Sequence, residues 1–333
     1  MSPLSRHSYL KSHFTITLLT PHTPIIEPTC YGTLVHIAIM FNNCNINVNS
    51  FIPQDCGMVT KKMSSNRVMN GRDSEEGEVP WQVYLTAYYT NRTKKYEESC
   101  GGTLVGERHV ITAAHCVVSG DSKRHKIKLQ FGIKDLENPS KGSITGYSKN
   151  VFVHPDYDAE GVDLAVIKLR KPINLLKNPN IKPACLPTSK TLAKDHIEKM
   201  GKVSGWGLDE SDNSPAIMQT ANIRIWGAEG KGRLPEQPED VIYGLDEDKR
   251  VDVCHGDSGG PLTVQDPFNN EGVTLLGVVS HGEYCNRFDP EEPSYYQNVA
   301  YALNKETWLK EMLGYDENFK TCPPPPPPPP EML

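Results

Sequence analysis

Long hydrophobic runs are missing from this sequence. The longest uncharged apolar stretch, residues 34–41, is interrupted by His36 and falls far short of the roughly 18 residues a membrane-spanning helix needs, so no membrane span is expected. A dense basic block is missing too. The 35 lysines and arginines are scattered and outnumbered by 41 acidic residues, for a net charge of -6, which leaves no electrostatic footprint for nucleic acid. No two cysteines form a tight Cys-x-x-Cys pair, the spacing by which structural zinc sites are recognised. Helical periodicity is nearly absent. One segment, residues 304–313, places Trp308, Leu309, Met312 and Leu313 on a three-four spacing behind Asn304 as a cap. What the chain does hold is nine widely spaced cysteines in 333 residues, a usage that points to disulfides in an oxidising compartment.

Composition divides the chain into three regions. Residues 1–55 mix Ser, Thr, His, Pro and Asn around two short apolar runs without sustained period, and residues 1–67 are read as leader and propeptide. Residues 321–333 contain eight consecutive prolines, Pro323 to Pro330, which adopt a stiff, solvated polyproline II tail with no packed core. Between them, residues 68–320 read as many short strands separated by Gly, Pro, Asn and Asp turns. The clearest candidates are 81–89, 126–131, 164–169, 217–225 and 273–280. The pattern is that of an all-β sandwich or barrel.

Gly256-Asp257-Ser258-Gly259-Gly260-Pro261 is the sharpest chemical signal. Glycines on both sides let a serine sit on a tight turn with its hydroxyl exposed and nearby backbone N–H groups free to face a developing oxyanion. Serine alone is a weak nucleophile. It needs a histidine to take its proton and a carboxylate to orient that histidine. Thr112-Ala113-Ala114-His115-Cys116 supplies the first and Asp163, at the head of the apolar run 164–169, supplies the second. Taken singly, His115 is also readable as a loop histidine and Asp163 as a strand cap. Their order along the chain, His, Asp, Ser, matches one of the convergent arrangements of this triad.

With these motifs the sequence resembles the chymotrypsin/trypsin-like serine endopeptidases over about residues 56–313. The resemblance implies two packed six-stranded antiparallel β-barrels with a C-terminal helix: a first barrel at about 68–180, a second at about 181–303 and a helix at 304–313. It gives Ser258 the role of nucleophile, His115 that of general base and then acid, and Asp163 that of holding the imidazole tautomer. The N–H groups of Gly256 and Ser258 become the oxyanion hole. Arg67-Val68-Met69-Asn70-Gly71 resembles the family's activation site, where cleavage after Arg67 frees the Val68 amine to pair with Asp257. The family's pocket floor falls on Asp252, an acidic residue suited to arginine or lysine. Gly282 keeps one wall of the pocket open. Ser294 replaces a glycine frequent on the other wall, and His281 replaces a tryptophan.

The resemblance also implies disulfides Cys100–Cys116, Cys254–Cys285 and Cys56–Cys185, the last tethering the propeptide. Cys30, Cys44 and Cys322 are left over. Two common bridges lose both partners: Gly201 and Val264 stand where one would be, and the cysteine expected near Ile242 is missing with its partner. Asn91-Arg92-Thr93 is the only glycosylation sequon. Calcium binding in some relatives begins where Ile133 stands, so no metal site and no cofactor is expected.

Together these features describe a secreted, monomeric endopeptidase acting on proteins or peptides, with serpin or Kunitz-type inhibitors as further partners. A non-catalytic homologue serving as an extracellular binding module is the competing reading. Such a protein is betrayed by a replaced Ser, His or Asp, and none is replaced here. An esterase with a Gly-x-Ser-x-Gly elbow also fits the local motif, but that fold orders its triad Ser, Asp, His.

Overall fold

The computed structural model describes residues 56–59, 71–209, 213–226, 239–245, 253–269, 272–282 and 293–314. Strand β2 (Gln82–Thr90) alternates in burial: Val83, Leu85, Ala87 and Tyr89 point inward, as the two-residue period of a strand requires. Its antiparallel partners are β3 (Lys95–Leu104) and β5 (Lys123–Phe131), which adds Ile127, Leu129 and Phe131 to the same interior. With β4 (His109–Thr112), β6 (Ile144–Val153) and β7 (Ala165–Leu169) these strands close in the order β2-β3-β4-β7-β6-β5. Closure removes both sheet edges.

The second barrel is built from β8 (Met200–Gly205), β9 (Gln219–Trp226), β10 (Val241–Gly244), β11 (Pro261–Gln265), β12 (Val273–His281) and β13 (Ser294–Asn298). β8 pairs with both β11 and β9, so the ring β9-β10-β13-β12-β11-β8 also closes. Ile223, Ile225, Leu262, Leu276, Val279 and Tyr296 fill it. Where a disulfide was missing from the sequence, packing stands instead. The β8–β11 register pairs Val203 with Leu262 and Lys202 with Thr263, which brings Gly201 opposite Val264. The side chains of Leu262 and Ile225 close over Gly201 so tightly that an added Cβ would meet them at 2.6 and 3.0 Å.

Two details depart from the sequence reading. Residues 72–73, expected in the first barrel, form β1 (Arg72–Asp73), which pairs with β9 of the second: Arg72 lies opposite Thr220 and Asp73 opposite Gln219. The expected helix over 304–313 is two. α1 (Val299–Asn304) is capped by Asn298, whose side chain accepts from the Tyr301 amide at 3.1 Å, and α2 (Trp308–Leu313) follows after a break. Asn304 therefore ends a helix instead of starting one. Its side-chain amide donates to the carbonyls of Thr188 and Thr191. Glu306 turns to His154, with Oε2 3.0 Å from Nε2, and these two tethers draw the chain off the helical path. Leu309 and Leu313 of α2 then join the apolar core of the first barrel.

Two disulfides are complete within the described residues. Cys100–Cys116 ties β3 to the segment after β4, and Cys56–Cys185 holds the segment 56–59 to the body. Backbone bonds run alongside the second, from the Gly57 amide to the Pro183 carbonyl at 2.8 Å and from the Val273 amide to the Gly57 carbonyl at 3.1 Å. Cys254 is also disulfide-bonded; Cys285 lies outside the described residues.

Candidate active site

β4 and β7 are neighbours, with Thr112 opposite Ala165. His115, three residues beyond Thr112, and Asp163, two residues before Ala165, therefore emerge at the same end of the first barrel. The His115 backbone amide donates to Asp163 Oδ1 at 2.9 Å, and its ring Nδ1 lies 2.7 Å from Asp163 Oδ2. Asp163 is buried. Burial alone would push its carboxyl upward, but the hydrogen bond and charge of His115 and the hydroxyl of Ser280 outweigh it and hold the group below its ordinary range. The ionised carboxylate only accepts hydrogen bonds, so His115 carries its proton on Nδ1 and presents Nε2 as a base. The second barrel holds both the carboxylate and the backbone of Asp163. Ser280 Oγ donates to Oδ2 at 2.7 Å, and the Asp163 amide donates to Gln297 Oε1 at 3.0 Å.

Ser258 sits on the turn before β11. Gly256 and Gly259 flank that turn at φ +104° and +76°, where an L side chain is strained. The amides along it fall into two sets. Those of Asp257, Gly259 and Gly260 donate to the carbonyls of Cys254, Val279 and Asp257 at 2.9, 2.7 and 2.8 Å. Those of Gly256 and Ser258 have no acceptor among the described residues. These are the two amides that the family resemblance implies as an anion hole. The Ser258 carbonyl accepts from the Gly101 amide at 2.7 Å, which anchors this turn to the first barrel.

His115, Asp163 and Ser258 line one cleft of about 280 Å³, together with Val253, Cys254, His255, Val279, Ser280, His281 and Gly282. Both barrels contribute. Among the described residues no hydrogen bond joins Ser258 Oγ to His115 Nε2, which lies 3.8 Å from Cys116 Sγ. Catalytic contacts of this kind are often long before substrate is bound. Cys100, His115 and Cys116 also cluster, but both sulfurs are spent in a disulfide and offer no thiolate to a metal.

Asp257 is held by two backbone amides. Its Oδ1 accepts from the Gly207 amide at 2.8 Å and its Oδ2 from the Cys254 amide at 3.0 Å. A Cβ added at Gly205 would lie 2.0 Å from Oδ1, so the carboxylate is seated where only glycine leaves room. Arg67 and Val68 lie outside the described residues, as does Asp252. Gly282 and His281 line the cleft. Ser294 is buried opposite Gly244 on β10. The His281 ring stacks on Tyr295, centroids 4.3 Å apart and planes 12° from parallel. Asn91 is exposed in the β2–β3 turn, its Oδ1 accepting from the Thr93 amide and hydroxyl and from the Lys94 amide.

Ser280 and Gln297 were not singled out from the sequence as partners of Asp163. The only trace they leave there is a polar residue closing the apolar run 273–279 and another inside the strand 294–298.

Among known proteins, the Trypsin family model matches residues 68–305, more than half of the chain. Transmembrane protease serine 11C of Mus musculus is 32% identical over 268 residues, covering 78% of this chain and 56% of that protein. Phenoloxidase-activating factor 3 of Holotrichia diomphalia is 29% identical over 291 residues, covering 80% and 77%. Clotting factor C of Tachypleus tridentatus is 31% identical over 261 residues, covering 72% and 25%. The matched part thus spans about half of the first relative and a quarter of the third. The family match covers both closed barrels and the cleft lined by His115, Asp163 and Ser258, and the chain belongs to the trypsin family of serine proteases.

Proposed function

We propose that this protein is a secreted serine endopeptidase, made as an inactive precursor, that hydrolyses peptide bonds after arginine or lysine. The observation that carries the reading is the pairing of His115 Nδ1 with Asp163 Oδ2 at 2.7 Å, in the same cleft as Ser258. In the reaction, Ser258 Oγ attacks the substrate carbonyl carbon while His115 Nε2 takes the hydroxyl proton. Asp163 stabilises the imidazolium that forms. The carbonyl oxygen, now negative, accepts from the amides of Gly256 and Ser258, which need no rearrangement to receive it. His115 returns the proton to the leaving amine, the C–N bond breaks, and an acyl-enzyme remains on Ser258. Water, deprotonated by the same Nε2, then releases the acid and restores the serine.

Specificity for basic side chains rests on Asp252, and control rests on cleavage after Arg67, which frees the Val68 amine for Asp257. Secretion is supported by the disulfides Cys56–Cys185 and Cys100–Cys116, because such bridges persist in oxidising compartments. In that setting Asn91 is glycosylated and protein inhibitors of the serpin or Kunitz type are fitting partners of a monomeric enzyme. Among the described residues no helix is long and apolar enough to cross a membrane.

The test is covalent. A fluorophosphonate should label the activated protein at Ser258 alone, and Ser258→Ala should lose on the order of 10⁶ in turnover. Labelling elsewhere, or full activity in Ser258→Ala, removes the protease reading. An activated wild type that takes no label favours the non-catalytic homologue.

A further inference from the structure

The hydrogen bonds at Asp163 do not stop at Ser280. Ser280 Oγ lies 2.7 Å from Asp163 Oδ2 and 3.1 Å from His281 Nδ1. A serine hydroxyl has one proton to give. Asp163 can only accept, and the contact to it is the shorter, charge-assisted one, so the proton points there. Ser280 Oγ must then accept from His281, and His281 Nδ1 is the donor. A single directed chain results: His281 Nδ1–H to Ser280 Oγ, Ser280 O–H to Asp163 Oδ2, and His115 Nδ1–H to that same Oδ2. One carboxylate oxygen thus has an imidazole on either side, one direct and one through a hydroxyl.

We infer that His281 is a positioning residue of the catalytic relay: by donating from Nδ1 it fixes the Ser280 hydroxyl on Asp163 and lowers the basicity of His115. The inference rests on the protease reading above. Hydrogen bonds in a chain polarise one another, so donation from His281 makes Ser280 a stronger donor. Charge drawn onto Ser280 is not available to stabilise the His115 imidazolium, since both groups share Oδ2. The ring itself is held in place by its stack on Tyr295 of β13. Among the described residues, the polar and titratable groups around it include Ser280 beside it, Tyr295 beneath it with Tyr243 of β10 edge-on to that ring, and Asp163, His115 and His255 along the same cleft. Protonating His281 at Nε2 leaves the Nδ1–H donor intact and strengthens it, so the direction of the effect is the same in either charge state.

Phenylalanine in place of His281 keeps an aromatic ring for Tyr295 and deletes the donor. With active enzyme counted by fluorophosphonate titration, the acid limb of kcat/KM against pH should move upward by about 0.3 pH unit in His281→Phe, the size of a weakened hydrogen bond. His281→Asn, whose amide N–H can stand near the position of Nδ1, should return the limb towards the wild-type value. In a Ser280→Ala background His281→Phe should move nothing, because the connection has been cut. The wild-type chain gives an independent reading: nitrogen NMR of the activated protein should show His281 protonated at Nδ1. An acid limb indifferent to His281→Phe, a shift that persists in Ser280→Ala, or an Nδ1 without a proton overturns the inference. A wild type that turns over substrate with such an indifferent profile refutes the role of His281 alone. A wild type never labelled at Ser258 refutes the reading beneath it.

Discussion

Arg72 grips Glu78 with both prongs of its guanidinium, at 2.6 and 2.8 Å. Lys202 of β8 reaches the same carboxylate at 2.6 Å, and the Glu75 amide donates to it at 2.9 Å. The segment that follows the proposed activation site is therefore clamped to the second barrel by charge as well as by β1.

Glu78 is buried, which pushes its carboxyl upward, yet these donors outweigh burial and hold it at about 2 against an ordinary 4.5. A depressed value in the folded state means that the ionised carboxylate stabilises the fold above the unfolded value and that this support is lost as pH falls towards 2. Glu78→Gln leaves two cations facing a neutral amide and should cost about 3 kcal/mol at pH 7. Denaturant melts of both proteins between pH 7 and pH 2 should show that difference shrinking below about pH 4.5. A difference that is constant with pH would mean that Glu78 acts through shape alone.

Cleavage after Arg67 should be required for activity, and Arg67→Gln should leave a precursor that turns over substrate at a small fraction of the activated rate. The segment 56–59 should stay on the enzyme afterwards, held by Cys56–Cys185 and by the two backbone bonds at Gly57. A denaturing gel without reductant should show one chain and a gel with reductant two. Full activity in Arg67→Gln contradicts the activation mechanism, and two chains without reductant contradict the tether.

Asp252 should set the choice of substrate. A buried carboxylate without a cation is costly, so an arginine or lysine entering the pocket relieves a penalty as well as making a bond. Preference over phenylalanine or leucine at the cleaved position should reach about 10³ in kcat/KM. Asp252→Ser should abolish that preference while Ser258 remains open to fluorophosphonate. Equal cleavage after aromatic residues by the wild type would remove Asp252 from the pocket floor.

What could be read from the chain alone follows a physical division. Ser258, His115 and Asp163 were legible because the chemistry demands those side chains in a recognisable local setting, glycines around the serine and an apolar strand beside each of the others. The strands were legible from short β-branched and aromatic runs between turn residues, such as 81–89, and the two barrels only through the family resemblance. Ser280 and Gln297 were not, because a hydrogen bond donated across two barrels needs no particular neighbours in sequence. The same reason hides the partner of Arg72–Asp73, which is set by the start of β9 at Gln219 and Thr220, where β10 does not reach because it meets β9 only at Ile225 and Trp226, and not by the two residues themselves. The helix break at residues 305–307 depends on where Asn304 and Glu306 find partners, at Thr188, Thr191 and His154. Local periodicity carries no record of such distant tethers.

The bridge between Cys56 and Cys185 spans 129 residues and encloses the whole first barrel in a covalent ring. In the chain-entropy account, a ring of that size restrains the unfolded chain by about 5 kcal/mol. Arg67 lies inside the ring. Once the bond after it is cut, the bridge becomes a branch point, and the unfolded chain recovers the freedom the ring had denied it. In the proposed activation, topology is traded for chemistry: the precursor is protected by its closed loop, and the cleaved protein loses that restraint, regaining stability only as far as a new Val68 amine pairs with Asp257.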